Sequence, residues 1–534
     1  MTEEKKNERG REGEENHMNR MKCFTRWAMA IVAVGLALSW APASRAAGET
    51  PETAATQPAP AATATAQPAA AQPTADQRLE ELEKQMALLE EEIASLKTAS
   101  AAEAKMAANP EPAAAPRGED AAKISLAGLL GNVTLSGFGD VYYGYDNNHP
   151  FNNLAGLRNF EAPTNGFNFN MAEFILDKAP DAMSSDGRLG YHLAVGYGTA
   201  AKVVNGSDNT GFGDGSNFYL KEAYLSYLAP VGKGLTVTVG KFVTPIGAEV
   251  IESNANWNYS RGLLFYYAIP YFHFGASAKY AFNSKLALTG YLVNGWNNTI
   301  INHAAAGACS TSNFSDGFMC GQSAGLTYGA SLAYTPTAKW SVTENYFAGP
   351  VVGSPFGLND QTITDWKQLS DTVISYTPNS KWAFILNGDY GFGPRNYDFL
   401  CDLAVTHPRP QGGPCTVETS PAVDWWGVAG YAKYNWTPKT NFAVRYEYYD
   451  DPQGYTGLIM DPEDGDTGFR GWAQEITGTY SYNLTSALLI RGEYRYDFAS
   501  LPMFVQSFSN DKFVKEQNTA TISFVYSFSS ANAK

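Results

Sequence analysis

The residues in this sequence with the spacing to do chemistry are charged, and they alternate. Arg445 and Glu447 lie two residues apart, and Arg491, Glu493, Arg495 and Asp497 continue the same step. In an extended strand residues two apart share a face, so each run sets opposite charges in a column along one wall. The intervening columns are apolar: Phe442, Val444, Tyr446 and Tyr448 beside the first run, Leu488, Ile490, Tyr494, Tyr496 and Phe498 beside the second. Such a ladder can orient and select polar solutes electrostatically, or it can only stiffen the wall as a lattice of paired charges. Both readings stand at this level.

Other chemistries find little support. His149, His192, His273, His303 and His407 are scattered, with no GxSxG or HExxH around them. No hydrolytic site is expected, and the chain is not read as an enzyme. Cys309, Cys320, Cys401 and Cys415 form two close pairs, so 309–320 and 401–415 are candidate disulfides, other pairings remaining open. No CxxC or Cys/His spacing calls for a metal, and no cofactor is implied. A net charge of −15 argues against nucleic acid as a partner.

Positioning these residues falls to strands. Aromatics make up 13% of the chain, with 50 glycines and only 17% charged residues, a mix suited to strands and turns. Mean hydropathy is −0.27, unlike a bundle of transmembrane helices. The one strongly apolar run, Ala28–Trp40, is too short to span a bilayer. It follows Arg20, Lys22 and Arg26 and precedes small residues, which makes residues 1–46 an N-terminal extension and signal peptide cut after Ala46. Met18 and Met21 are alternative starts, and a retained anchor is the alternative to cleavage. Removing 1–46 takes away eight positive and six negative side chains and leaves about −17.

Residues 47–75 are Ala, Pro, Thr and Gln, an extended linker, and 98–123 resembles it. Between them, in 76–97, Leu79, Leu82, Met86, Leu89, Ile93 and Leu96 step by three and four, an a/d seam over three heptads. This predicts a short coiled coil that draws copies of the chain together; the competing reading is an amphipathic helix resting on the barrel or on peptidoglycan.

From 124 to 534 the period becomes two. Sixteen strands are predicted, starting near 133, 166, 187, 217, 234, 271, 285, 323, 338, 365, 380, 424, 440, 471, 487 and 516. Short connections alternate with long ones. Tight turns fall at Tyr334–Trp340, Tyr376–Trp382, Asn435–Phe442 and Asn483–Ala487, three of them carrying Pro336, Pro378 and Pro438. Tyr334, Trp340, Tyr376, Trp382, Trp436, Phe442 and Tyr482 flank them like an interfacial girdle. This is the asymmetry of an all-β, antiparallel transmembrane barrel of about 16 strands, with short periplasmic turns and long outer loops. The coiled coil then precedes it on the periplasmic side. The pattern weakens twice, near Glu173 and at Glu344, which falls on the apolar face.

The stretch GKFVTPIGAEVIESNANWNYSRGLLFYYAIPYFHFG from Gly240, followed by NGWNN at Asn294–Asn298, resembles the β-barrel porin family described as OmpL-like. The likeness runs over the barrel from LSGFGDVYYGY onward. The tail SSANAK after Phe528 departs from barrels that end on the aromatic residue. The resemblance implies an outer-membrane porin of a diderm bacterium, with lipid and small hydrophilic solutes as partners and, by porin precedent, a trimer. In position, loop 244–270 resembles the third outer loop of sixteen-strand porins, which folds inward and narrows the pore. Glu249, Glu252 and Arg261 are its candidate constriction residues, against the reading of an outer lid. The alternative function is a structural anchor tethered toward the cell wall.

Overall fold

The computed structural model describes residues 133–182, 186–207, 217–301, 325–352, 364–399, 417–452, 454–456, 471–506 and 512–532. The signal peptide, both linkers, the heptads and the four candidate disulfide cysteines lie outside these residues.

Sixteen long strands close into one antiparallel barrel. They are β1 (Thr134–Asp146), β2 (Gly166–Lys178), β3 (Leu189–Tyr197), β4 (Phe218–Ala229), β5 (Leu235–Val243), β6 (Phe272–Asn283), β7 (Leu286–Val293) and β8 (Thr327–Thr337). There follow β9 (Trp340–Val352), β10 (Thr364–Tyr376), β11 (Trp382–Phe399), β12 (Val417–Thr437), β13 (Thr440–Asp451), β14 (Gly471–Asn483), β15 (Leu488–Ala499) and β18 (Glu516–Ser529). Two short strands, β16 (Phe504–Val505) and β17 (Phe513–Val514), pair with each other in the last connection. Each barrel strand pairs with its sequence neighbours, and β1 closes on β18, Val141 opposite Phe524. Most strands begin within a few residues of the expected positions; β12 begins seven residues earlier, at Val417.

Alternation assigns the two faces. Along β15, Arg491, Glu493, Arg495 and Asp497 are buried on the inner side while Tyr494 is exposed on the outer. An apolar exterior over an interior of charge is the arrangement hydrocarbon requires. No described helix is long and apolar enough to cross a membrane.

The tight turns owe their shape to Asn and Thr side chains. Asn283 Oδ1 accepts from the N–H of Lys285 at 2.8 Å, Asn379 Oδ1 from Lys381 at 2.9 Å, and Thr485 Oγ1 from Ala487 at 3.1 Å. These Asx- and ST-turns set the reversal locally. Pro336 sits just ahead of its turn, at the register shift between Tyr334 and Thr337. The expected girdle forms beside them: Trp340 stacks on Tyr376 at 4.1 Å, and Trp436 tilts on Phe442 at 5.8 Å.

Both irregular places have physical reasons. In β2 the register shifts so that Asp140 faces Met171 and Val141 faces Phe169, leaving Asn170 as an extra residue and turning Glu173 inward. Glu344 does face outward on β9, where the hydroxyls of Ser370 and Thr372 on β10 donate to its two oxygens.

The alternation predicts the cost of breaking it. Val444 is 47% exposed on the outer face, so Val444→Arg should lower unfolding free energy in lipid vesicles by about 2–4 kcal/mol if it lies near midplane. Urea titration in vesicles measures this, and an unchanged midpoint would mean the face is not in lipid.

Candidate functional site

The strongest concentration of buried charge lies on the inner wall of β13, β14, β15, β18 and β1. Arg445 and Glu447 come from β13, Glu475 and Thr477 from β14, Arg491, Glu493, Arg495 and Asp497 from β15, and Asp140 from β1. All six residues expected as an inner ladder point inward, and all six are buried. What buries them is the segment between β5 and β6.

That segment folds into the barrel and lies along this wall. Arg445 Nε contacts Glu475 at 2.6 Å, while its Nη1 reaches Glu249 Oε1 and the Ser260 carbonyl, both at 2.5 Å. Glu493 accepts from the N–H groups of Tyr259 (2.6 Å) and Ser260 (3.0 Å). Arg491 donates to the carbonyls of Ser253 (2.5 Å) and Asn256 (2.7 Å), and Arg495 donates to that of Arg261 (2.7 Å). Glu447 accepts from the Leu263 N–H. Arg495 also pairs with Asp497 at 2.7 Å. Asp140 accepts from Ser253 at 2.7 Å and from the Tyr259 hydroxyl at 2.9 Å.

Apolar residues of the segment form a second anchor. Ile246, Ile251, Leu263, Leu264, Phe265, Tyr267 and Ile269 pack with Phe160, Trp425 and Tyr449 in one buried cluster. Gly262 lets the chain approach the Glu447 carboxylate, which a Cβ there would displace. Gly247 has φ +90°, a conformation that favours glycine.

The three candidate constriction residues are placed differently from one another. Glu249 is buried, with Oε2 accepting from the Gly262 N–H at 2.6 Å. Arg261 is buried too, paired with Glu161 of the 147–165 connection and stacked over Phe160 at 5.0 Å. Glu252 keeps a partly exposed side chain and meets Lys221 of β4, which also pairs with Glu173 at 2.6 Å. Val250, Asn254 and Ala255 are exposed and Trp257 is half-buried; Asn254 donates to Ser527 of β18 at 3.1 Å, and Trp257 lies between Tyr431 and Lys433 of β12.

Burial sets the direction of ionisation for Glu161 and Tyr259. It pushes the Glu161 carboxyl up, opposed by the positive charges of Arg261 and Arg158. It holds the Tyr259 phenol well above its ordinary value, an effect that Asp140 and Glu161 reinforce.

Sequence reading missed three parts of this assembly. The 147–165 connection also turns inward, with Gly156 donating to Gln517 at 2.7 Å and Arg158 bonding Thr519. The bulges in β2 and β4 obscured Glu173 and Lys221. Asp371 and Asp389 pair across β10 and β11, with Asn387 binding Asp371 at 2.7 Å and the Ala248 N–H at 3.0 Å. The one available signal was polar residues on inward positions of otherwise apolar strands. Of the histidines, His192 stands between Asp177 (2.8 Å) and Glu222 (3.3 Å), and His273 is buried against Gly295. Among the described residues no three His, Cys, Asp or Glu side chains are arranged to hold a metal ion.

A family model described as "Putative beta-barrel porin-2, OmpL-like" matches residues 132–528, the whole barrel. The chain belongs to this family. Solved structures similar to this porin include an anion-selective porin from Comamonas acidovorans (11% identity, TM-score 0.45, covering 74% of this chain and 99% of that one). Others are OmpF of Salmonella typhi in complex with daunomycin (12%, 0.42, 74% and 97%) and OmpT, an outer membrane protein of Vibrio cholerae (12%, 0.40, 74% and 97%). No curated protein matches the chain. In this porin-type barrel the site is a wall that holds a loop.

Removing Arg445 would strand Glu249 without its cation and leave Glu475 with only Arg495, at 3.6 Å. Arg445→Ala should therefore cost about 3–5 kcal/mol and speed hydrogen exchange at Tyr259–Leu263. Exchange confined to wild-type rates would show that the wall does not hold the segment.

Proposed function

We propose that this barrel is a passive channel for small hydrophilic solutes, narrowed by the segment 244–270. The observation that carries the reading is asymmetry inside the barrel. The segment is fixed to one wall, whereas inward residues of the opposite wall keep access to solvent: Lys279 is exposed, and Thr238, Ser277, Thr289 and Thr343 are half-buried. Small hydroxyl side chains suit water and polar solutes and offer no apolar grip. Glu252, Asn254 and Trp257, the more exposed side chains of the segment, form the narrow edge of the path. Glu249 and Arg261 act behind it by holding the segment in place.

In this reading the short-turn rim is periplasmic and the 76–97 segment lies on that side, joining copies of the chain, with three the favoured number. Contact with peptidoglycan and export through the N-terminal signal belong to the same proposal. The anchor alternative draws on the Ala/Pro linkers and the heptads, which could reach toward the cell wall.

Planar-bilayer recordings separate the two. A channel gives stepwise conductance, while an anchor gives none. Lys279→Glu should shift the reversal potential in a salt gradient toward cation preference, and Glu252→Gln should shift it toward anions. If neither moves it, those side chains are not in the path.

A further inference from the structure

The short-turn rim carries a row of charge that folding does not require. Five consecutive short turns, from β4–β5 to β12–β13, each hold one exposed lysine: Lys233, Lys285, Lys339, Lys381 and Lys439. The connections themselves, 230–234, 284–285, 338–339, 377–381 and 438–439, contain no carboxylate. Lys233 donates to the Phe282 carbonyl at 2.6 Å, and none of the five forms a salt bridge with a described carboxylate. Short connections outside this arc differ. The β14–β15 turn has no charged residue, and 179–188 between β2 and β3 sets Asp181 and Asp186 against Arg188.

In four of these turns the lysine contributes its backbone N–H, which Asn283, Thr337, Asn379 or Thr437 binds. The β14–β15 turn makes the same bond with Ala487 and Thr485, so the ammonium group has no part in the reversal. What the ammonium groups share is their height. Lys339 precedes Trp340, Lys381 precedes Trp382, Lys285 follows Phe282 by three residues, and Lys439 lies between Trp436 and Phe442. Phe282, Trp382, Trp436 and Phe442 are exposed on the outer face. Rings of such a girdle rest among lipid headgroups, and a lysine beside them reaches the same level with its flexible stem. Successive lysine turns are two strands apart, roughly 10 Å along the rim.

We propose that the lysine arc from β4 to β13 binds the headgroups of anionic phospholipids in the adjoining leaflet. Charge and height together select this partner. A phosphodiester with no ammonium of its own presents net negative charge at the level of the girdle, where the lysines are. A zwitterionic headgroup carries its own cation and gains little from them. Each lysine close to an anionic surface strengthens the attraction about fivefold, and a row of five acts on several neighbouring headgroups. The wall beside the turns receives the acyl chains of the same lipids, through exposed Leu288, Leu332, Phe384 and Val444. Because the sector from β14 round to β3 lacks the row, the bound lipid forms an arc and not a ring.

The test uses the full chain in mixed vesicles of phosphatidylcholine and phosphatidylglycerol, one of the two carrying brominated acyl chains that quench nearby tryptophans. At 50 mM salt phosphatidylglycerol should be preferred at the barrel surface by at least about fivefold, falling below about twofold at 0.5 M salt. Changing all five lysines to glutamine should abolish the preference while heat-modifiability of the barrel stays unchanged. Changing all five to arginine should keep it. Equal affinity for the two lipids at 50 mM salt overturns the proposal. So does a preference that survives the five glutamines, because other groups would then bind the headgroups. If the glutamine chain fails to fold, the salt dependence and the arginine chain decide. None of these results depends on whether the barrel conducts.

Discussion

Everything in this structure depends on β1 meeting β18. Hydrocarbon offers no water to an unpaired N–H or C=O, and each such group costs several kcal/mol, so a sheet in a bilayer must have no edge. The antiparallel register from Ser136–Ser529 to Asp146–Thr519 removes the last edge. Once the sheet is closed, its two faces are assigned to different solvents. Every residue step along a strand then becomes a step between lipid and interior, and charge can survive only on one of them.

The interior creates a second problem, solved by those charges. Segment 244–270 runs irregular backbone through the barrel, where its peptide groups are screened from bulk water. An irregular chain cannot satisfy its own N–H and C=O groups as a helix does. Here the wall does so. Glu493 and Glu447 accept from the N–H groups of Tyr259, Ser260 and Leu263, the segment's own Glu249 takes that of Gly262, and Arg491, Arg495 and Arg445 donate to carbonyls between Ser253 and Arg261. Charged partners bind more strongly than neutral ones. Their mutual pairing, Arg445 with Glu475 and Arg495 with Asp497, offsets the burial. The ladder and the lattice are thus one device, with the loop as its third member.

How much of this was readable in the chain follows from the range of each interaction. Period-two alternation is local, so strands such as 440–451 and 488–499 are legible to within a residue, as are the Asn- and Thr-built turns. The inward direction of Arg445 and Asp497 is legible for the same reason. What these residues hold is not, because Glu249 and Arg445 are 196 residues apart and only closure brings them together. Bulges defeat the pattern differently. One extra residue, Asn170, inverts every later position in β2, so Glu173 reads as misplaced when it is paired with Lys221. Glu344 reads as misplaced and is so, tolerated by two neighbouring hydroxyls that sit on the next strand.

A consequence follows for where selectivity can arise. The most conspicuous charges in the sequence are buried against backbone and one another, and in the proposed channel a solute meets almost none of them. In the proposed channel it meets the opposite wall, where Thr238, Ser277, Thr289 and Thr343 look unremarkable in sequence, with the inward cation Lys279 among them. An arginine buried against carboxylates and carbonyls steers a solute less than a partly hydrated lysine beside hydroxyls. In the proposed channel the conspicuous residues build the shape of the passage, and the inconspicuous ones face what passes through it.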